Sequence, residues 1–198
     1  MKKQNNFLRS TSIAFILLGT LLCWTGCKQG DAQENTHQSA AKNATPAIDI
    51  HTAIVAGNIA VLKQHIAAGS NINEKDPIGG SSPLITACLF GKTEMAKILM
   101  DAGAQMNFQN NDGSTPLHTA AFFCRPEIVQ LLLAKGADKT IKNKYGQTAY
   151  ETVAGAFTNV KTVYETIGKM LAPMGLKLDN AYIEKTRPQI AAMLRQFN

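Results

Sequence analysis

The sequence predicts an all-α repeat protein in which about four similar units stack into a solenoid. The first observation is a period of 33 or 34 residues, and it places Gly57, Gly91, Cys124 and Phe157 in equivalent positions. The second is a parallel glycine series, formed by Gly69, Gly103 and Gly136. The third is a recurring helix-start signal, Ser82-Pro83 and Thr115-Pro116. Self-similarity at a fixed period of this size is the signature of stacked repeats.

The motif in the third unit identifies the kind of repeat. Residues 115–121 are Thr-Pro-Leu-His-Thr-Ala-Ala, and together with the period they resemble the ankyrin repeat. The resemblance implies two short antiparallel helices and a β-turn finger in each unit. We therefore expect an ankyrin repeat domain over residues 47–198. Its repeats are expected at about 47–76, 77–110, 111–143 and 144–198.

Several residues of each unit have a mechanical role in this scheme. The Thr115 and Ser82 hydroxyls can cap the first helix, and proline follows at the position where no amide donor is lost. The second-series glycines supply the positive backbone angle that ends the second helix. Leu131, Leu132 and Leu133 are expected to fill the space between helix layers. His118 and His51 occupy the motif histidine position, where hydrogen bonding within the turn is expected.

The first and last repeats depart from the pattern. In the first repeat, polar Gln64 and His65 stand where leucine is usual, which suits a cap whose outer face meets water. In the last repeat, residues 187–194 resemble residues 125–132 but arrive late. This delay predicts an insertion over residues 157–185.

The insertion itself predicts an amphipathic helix. Its apolar residues fall at helical spacing and are Val160, Val163, Tyr164, Ile167, Met170 and Leu171. An apolar helix face of this kind is expected to pack against another surface. Three roles remain open: closing the end of the solenoid, covering the groove, and binding a partner.

The N-terminal segment, called the leader below, has the pattern of a targeting sequence. Lys2, Lys3 and Arg9 precede a short apolar run, 13–22, that is too short for a permanent membrane span. Thr25-Gly26-Cys27 resembles a bacterial lipobox, although Trp24 replaces the usual aliphatic residue. This resemblance implies a signal peptide over 1–26 and lipidation of Cys27. The protein would then be anchored in the cell envelope facing the periplasm, with the outer membrane preferred. The alternative is a soluble periplasmic or secreted protein.

Residues 28–46 contain no Leu, Ile, Val or aromatic side chain, so the segment 27–46 is expected to be a flexible tether. The net charge of +6 falls to +3 without the three basic residues of the leader. This balance argues against nucleic acid as a partner. No catalytic, phosphate-binding or metal-binding motif is found, so neither an enzyme nor a cofactor is expected. Cys88 and Cys124 are expected to be two separate thiols, and the protein is expected to be a monomer.

The ankyrin resemblance implies that finger tips and the residues after the alanine pair line a concave face that meets a protein partner. The expected binding residues on the helices are Leu89, Phe90, Phe122 and Phe123. Those on the fingers are Ile78, Ser81, Asn111, Asp112, Ser114 and Tyr145. The phenylalanines could form a binding patch or the seat of the inserted helix. The expected function is a non-catalytic scaffold or adaptor module that binds a protein. Its alternatives are a protective or regulatory accessory of a periplasmic enzyme and a structural envelope spacer.

Overall fold

The computed structural model describes residues 44–196, and within that range the chain is helical, without strands. The leader, Cys27 and most of the tether lie outside the described residues. The nine α-helices of this range are α1 (Ile50–Ala56), α2 (Ile59–Ala67), α3 (Pro83–Leu89), α4 (Thr93–Asp101), α5 (Pro116–Phe122), α6 (Pro126–Ala134), α7 (Glu151–Ala154), α8 (Lys161–Leu171) and α9 (Asn180–Gln196). None of the described helices is long and apolar enough to span a membrane.

The helices stack as two layers. The first helices of the repeats form one layer, in which α1 packs on α3, α3 on α5 and α5 on α7. The second helices form the other layer, in which α4 packs on α6 and α6 on α9. Helix α9 also packs against α7, so it is the second helix of the fourth repeat. The expected solenoid of four repeats is therefore confirmed.

The core between the layers repeats with the sequence. Leu99 and Leu132 are fully buried at equivalent places in the second helices, and Leu62 is fully buried at the place that Ala96 and Val129 take in the next two repeats. Leu131, which we expected in this core, is only half-buried. Adjacent helix positions point about 100° apart, so Leu132 takes the inward direction and Leu131 the flank.

Helix ends follow the expected chemistry. The Ser82 and Thr115 side chains accept hydrogen bonds from the main-chain N–H groups of Ile85 and His118. The turn after the first helix of a repeat contains a residue in the left-handed conformation. This residue is Gly57 in the first repeat, Gly91 in the second and Cys124, with φ of 53°, in the third. Cys88 and Cys124 are both buried and free, as predicted.

The cap repeat differs from expectation at His65, which is buried rather than facing water. Its two ring nitrogens contact the Ser70 hydroxyl at 3.0 Å and the Ile48 carbonyl at 2.8 Å. Because both polar atoms have partners, the ring can occupy a leucine-like position without a large desolvation cost. Gln64 is exposed.

The fourth repeat is irregular at both of its helices. Helix α7 has only four residues, and across the turn that leads into it Thr148 and Glu151 exchange hydrogen bonds in the pattern of a capping box. Helix α9 begins at Asn180, capped by the Asp179 carboxylate, and continues through Pro188. The expected insertion 157–185 is therefore too long, because its last six residues extend the second helix of the repeat. Sequence reasoning matched residues 187–194 to residues 125–132 and therefore ended the insertion at Lys185.

Candidate protein-binding groove

The finger tips are built from three similar turns, each organised by one side chain at its base. Asp76, Asn110 and Asn143 accept hydrogen bonds from the main-chain N–H groups two to five residues further on. Such turns are typical of Asp and Asn, whose short side chains reach their own backbone. Neighbouring fingers are also joined, since the N–H of Asn111 donates to the Gly79 carbonyl and that of Lys144 to the Asp112 carbonyl. The fingers therefore form one continuous row.

A concave groove of about 1360 Å³ lies between this row and the inserted helix. Its lining includes the last residues of α3 and α5, Leu89 and Phe122, and also Phe90, which follows α3. Two fingers contribute their most exposed apolar side chains, Ile78 at 86% and Tyr145 at 72% exposure.

Helix α8 forms the opposite wall of the groove. Its apolar face lines the groove with Val160, Val163, Ile167, Met170 and Leu171, as the helical spacing predicted. Val163 and Met170 remain exposed at 45% and 65%. Helix α8 therefore leaves the groove open, and α9, rather than α8, completes the helix layers of the last repeat.

One tyrosine anchors this wall to the solenoid. The Tyr164 ring stacks on Phe122 with ring centroids 4.6 Å apart and is fully buried. Its hydroxyl donates a hydrogen bond of 2.6 Å to the carbonyl of Phe122, which is the last residue of α5. Burial raises the pKa of Tyr164 to about 12, so the phenol stays protonated and can donate. Phe122 is therefore the seat of the inserted helix.

Arg187 is the second residue of this anchor, because it binds the Tyr164 hydroxyl. Its side chain is 2% exposed, and it donates to the Tyr164 hydroxyl at 2.8 Å and to the Gly155 carbonyl at 3.3 Å. Arg125 is used similarly one repeat earlier, where it donates to the Leu89 carbonyl at 3.2 Å. In both cases a guanidinium meets a carbonyl at the end of a first helix, where the helix dipole favours positive charge.

Nine of the ten expected binding residues line the groove, and one does not. The exception is Asn111, which packs beneath Gly80 of the neighbouring finger and is not part of the lining. Phe122 and Phe123 line the groove but are largely covered, the first by Tyr164 and the second with 9% of its surface exposed. Leu89 and Phe90 remain half-buried on the open wall.

Sequence reasoning missed four charged residues of the groove lining. Asp49, Asp76 and Glu151 line it in addition to the expected Asp112, and they were overlooked because each doubles as a turn or helix-start residue. Arg187 was noticed only as part of a repeated motif. Its pairing with Tyr164 depends on the path of the insertion, which no local pattern encodes.

The arrangement offers little for covalent chemistry. Burial raises the pKa of the Cys124 thiol to about 11 and raises that of Cys88 further, so neither is poised as a nucleophile. The His118 ring contacts the Thr115 hydroxyl at 2.8 Å and the Gln147 carbonyl at 2.9 Å, so both of its nitrogens are occupied. Over residues 44–196 no cluster of side chains could hold a metal ion.

Comparison with known proteins agrees with this geometry. A family model described as ankyrin repeats, in three copies, matches residues 50–143. Within residues 44–196 the chain has the ankyrin repeat fold. Its matched residues end at Asn143, before the irregular fourth repeat.

Solved structures resemble this ankyrin domain as well. One is the crystal structure of the ankyrin repeat domain of Bcl-3, a unique member of the IkappaB protein family. The sequences are 29% identical with a TM-score of 0.51, and the match covers 52% of this chain and 45% of that one. The chain therefore spans less than half the length of this relative. No curated protein matches the chain.

Proposed function

We propose that the protein is a non-catalytic protein-binding module that holds a segment of its partner in the groove between the fingers and α8. The observation that carries the proposal is the location of exposed apolar side chains. Seven large hydrophobic residues are exposed among residues 44–196, and five of them line this one groove. These five are Ile78, Tyr145, Val163, Met170 and Met174. Contiguous exposed apolar surface marks interaction sites.

The size of the groove favours a macromolecular partner. Pockets for small molecules typically have volumes of about 300 to 1,000 Å³, and this groove is larger and open. Ankyrin repeats generally mediate protein–protein interaction, which agrees with this reading. Methionine on the α8 wall suits such a surface, because its flexible thioether adapts to irregular partners.

The expected cellular location is part of the proposal. The basic leader, the short apolar run and Thr25-Gly26-Cys27 support export and lipidation of Cys27. The anchored body would then face the periplasm, with the outer membrane preferred and a soluble periplasmic protein as the alternative. Mass spectrometry of the native N-terminal peptide tests this: loss of residues 1–26 with an acyl mass on Cys27 supports it, and an unmodified Cys27 contradicts it.

Affinity capture from envelope extract tests the binding role. The bait is the full chain, compared with Ile78→Asp in the groove and Ile48→Asp outside it. Both substitutions place a charge at an exposed isoleucine. We expect a stoichiometric partner that is lost with Ile78→Asp and retained with Ile48→Asp. Capture of the partner by both variants contradicts binding in the groove. Capture of no partner at all favours a role as a structural envelope spacer.

A further inference from the structure

We propose that the groove selects a cationic amphipathic segment, one whose apolar face packs on α8 while Lys or Arg side chains meet the opposite wall. This inference rests on the proposed function, because it specifies the chemistry of the partner. It comes from the distribution of charge around the groove.

The groove is acidic although the body is basic. Of the 20 basic and 14 acidic residues of the chain, 15 and 12 lie between residues 44 and 196, an excess of three positive charges. The groove lining reverses this balance. Its acidic members are Asp49, Asp76, Asp112 and Glu151, and within the described range its only Lys or Arg is Arg187. Since Arg187 is buried beneath Tyr164, it does not present its charge to a partner.

Local structure keeps three of these carboxylates ionised. Hydrogen bonds from the Thr52 side chain and N–H lower the pKa of Asp49, and the main-chain and side-chain donors of Thr148 lower that of Glu151. The pKa of Asp76 is also lowered, because the N–H groups of its finger outweigh its partial burial. Each carboxylate has about four acceptor sites, so capping leaves sites for a partner's donors on Asp49 and Glu151, whereas the donors of its own finger largely occupy Asp76.

Asp112 is the most available of the four. It lies at the tip of the middle finger, whose turn is organised by Asn110, is exposed, and its carboxylate is not engaged in an ion pair or hydrogen bond within residues 44–196. Its main-chain groups hold the fingers together, since the N–H donates to the Asn110 side chain and the carbonyl accepts from Lys144. The side chain can therefore be changed without breaking the finger.

The two walls differ in character, and this difference defines the partner. The residues of α8 that line the groove carry no charge. Lys161 and Glu165 of that helix, whose Nζ and Oε1 atoms lie 4.0 Å apart, are not part of the lining. The acidic residues belong to the fingers and to the starts of α1 and α7. A segment with one apolar face and one basic edge matches both walls at once. An anionic lipid surface or a nucleic acid would be repelled by the carboxylates.

Peptide titration of the full chain tests this inference. The probes are a Leu/Lys amphipathic helical peptide of about 18 residues, long enough to hold a helix, a Leu/Glu peptide with the same apolar pattern, and a scrambled Leu/Lys peptide. Calorimetry at low and high salt gives each dissociation constant. Asp112→Lys is compared with Glu94→Lys, the same charge change at an exposed residue of α4 outside the groove.

We expect the Leu/Lys peptide to bind about tenfold tighter than the other two at low salt, with the difference shrinking as salt screens the charges. Asp112→Lys weakens this binding several-fold and Glu94→Lys does not. Equal or tighter binding of the Leu/Glu or scrambled peptide overturns the inference, as does an equal effect of the two Lys variants. If Ile78→Asp still abolishes binding in that case, the proposed function stands. If no peptide binds in a way that Ile78→Asp alters, both fail.

Discussion

At the scale of single residues, neighbouring side chains have different jobs because the helix turns them in different directions. Leu132 is fully buried between the helix layers, whereas Leu131 beside it is half-buried. Phe122 belongs to the groove by sequence position but lies under the Tyr164 ring. Burial in the folded chain, rather than residue type, therefore decides the cost of a substitution.

Leu132→Ala and Leu131→Ala form a matched pair. We expect Leu132→Ala to lower the free energy of unfolding by about 2 to 5 kcal/mol, because the deletion leaves a cavity in a fully buried layer. Leu131→Ala loses less, since its side chain is already partly solvated. Chemical denaturation of both variants measures the difference. Equal losses would show that the burial assigned to Leu131 is wrong.

Tyr164→Phe isolates the anchor of the inserted helix. The substitution keeps the ring stacked on Phe122 but removes the hydroxyl that links the Phe122 carbonyl to Arg187. We expect a loss of about 1 to 3 kcal/mol, because a buried donor and acceptor lose their partner. Tyr182→Phe is the control, since Tyr182 is 45% exposed. If the two variants unfold alike, the hydrogen-bonded anchor does not stabilise the fold.

His118 makes stability depend on pH. Burial lowers its pKa from the ordinary value of 6.5 and outweighs the hydrogen bond to the Gln147 carbonyl, which acts in the opposite direction. The folded state therefore binds fewer protons than the unfolded state just below that value, so this contribution to stability is lost as pH falls below about 6.5. Denaturation at pH 7.5 and pH 5.5 should show a smaller pH dependence for His118→Gln than for the parent. The same dependence in both contradicts this role.

At the scale of elements, α8 and α9 divide the work of the irregular fourth repeat. Helix α9 carries buried Ile183, Ile190 and Leu194 and packs on α6 and α7. Helix α8 contributes a single buried side chain, Tyr164, and leaves its apolar face in the groove. One helix therefore holds the fold and the other shapes the surface.

Two deletions separate these roles. Ending the chain before Arg187 removes the buried residues Ile190 and Leu194 of α9 and the hydrogen bond from Arg187 to Tyr164. We therefore expect a marked loss of stability and of cooperative unfolding. Replacing residues 160–175 by a Gly/Ser loop removes one groove wall, so we expect a smaller loss of stability but loss of partner binding. Thermal melts and binding measurements on both variants provide the comparison. The reverse order of stabilities would show that the two helices are wrongly assigned.

At the scale of the whole molecule, the regular part of the fold could be predicted and the irregular part only in outline. The period, the Thr-Pro caps and the buried leucines follow local rules, so the ankyrin repeat fold could be predicted from them. The insertion was ended at Lys185 because residues 187–194 resemble residues 125–132, yet Pro188 lies within a helix that begins at Asn180. The Tyr164–Arg187 contact spans 23 residues and depends on how the insertion folds back. Such a contact has no local signal.

The same distinction applies to the candidate site. The finger tips and the α8 face were predictable because they occupy repeat positions or keep a helical spacing. The charge reversal inside the groove was not, since its acidic residues come from four separated places in the sequence and meet only in the folded chain. The whole solenoid thus creates a surface that no single repeat contains.

The most direct test of the groove is photo-crosslinking in the cell that makes the protein. A photoreactive amino acid replaces Ile78 on a finger or Met170 on α8, which both line the groove, and in controls it replaces Ile48 or Tyr182, which are exposed outside it. We expect the same adduct from positions 78 and 170 and no adduct from positions 48 and 182. Adducts from the control positions alone, or different proteins captured at 78 and 170, would contradict a single two-walled binding groove.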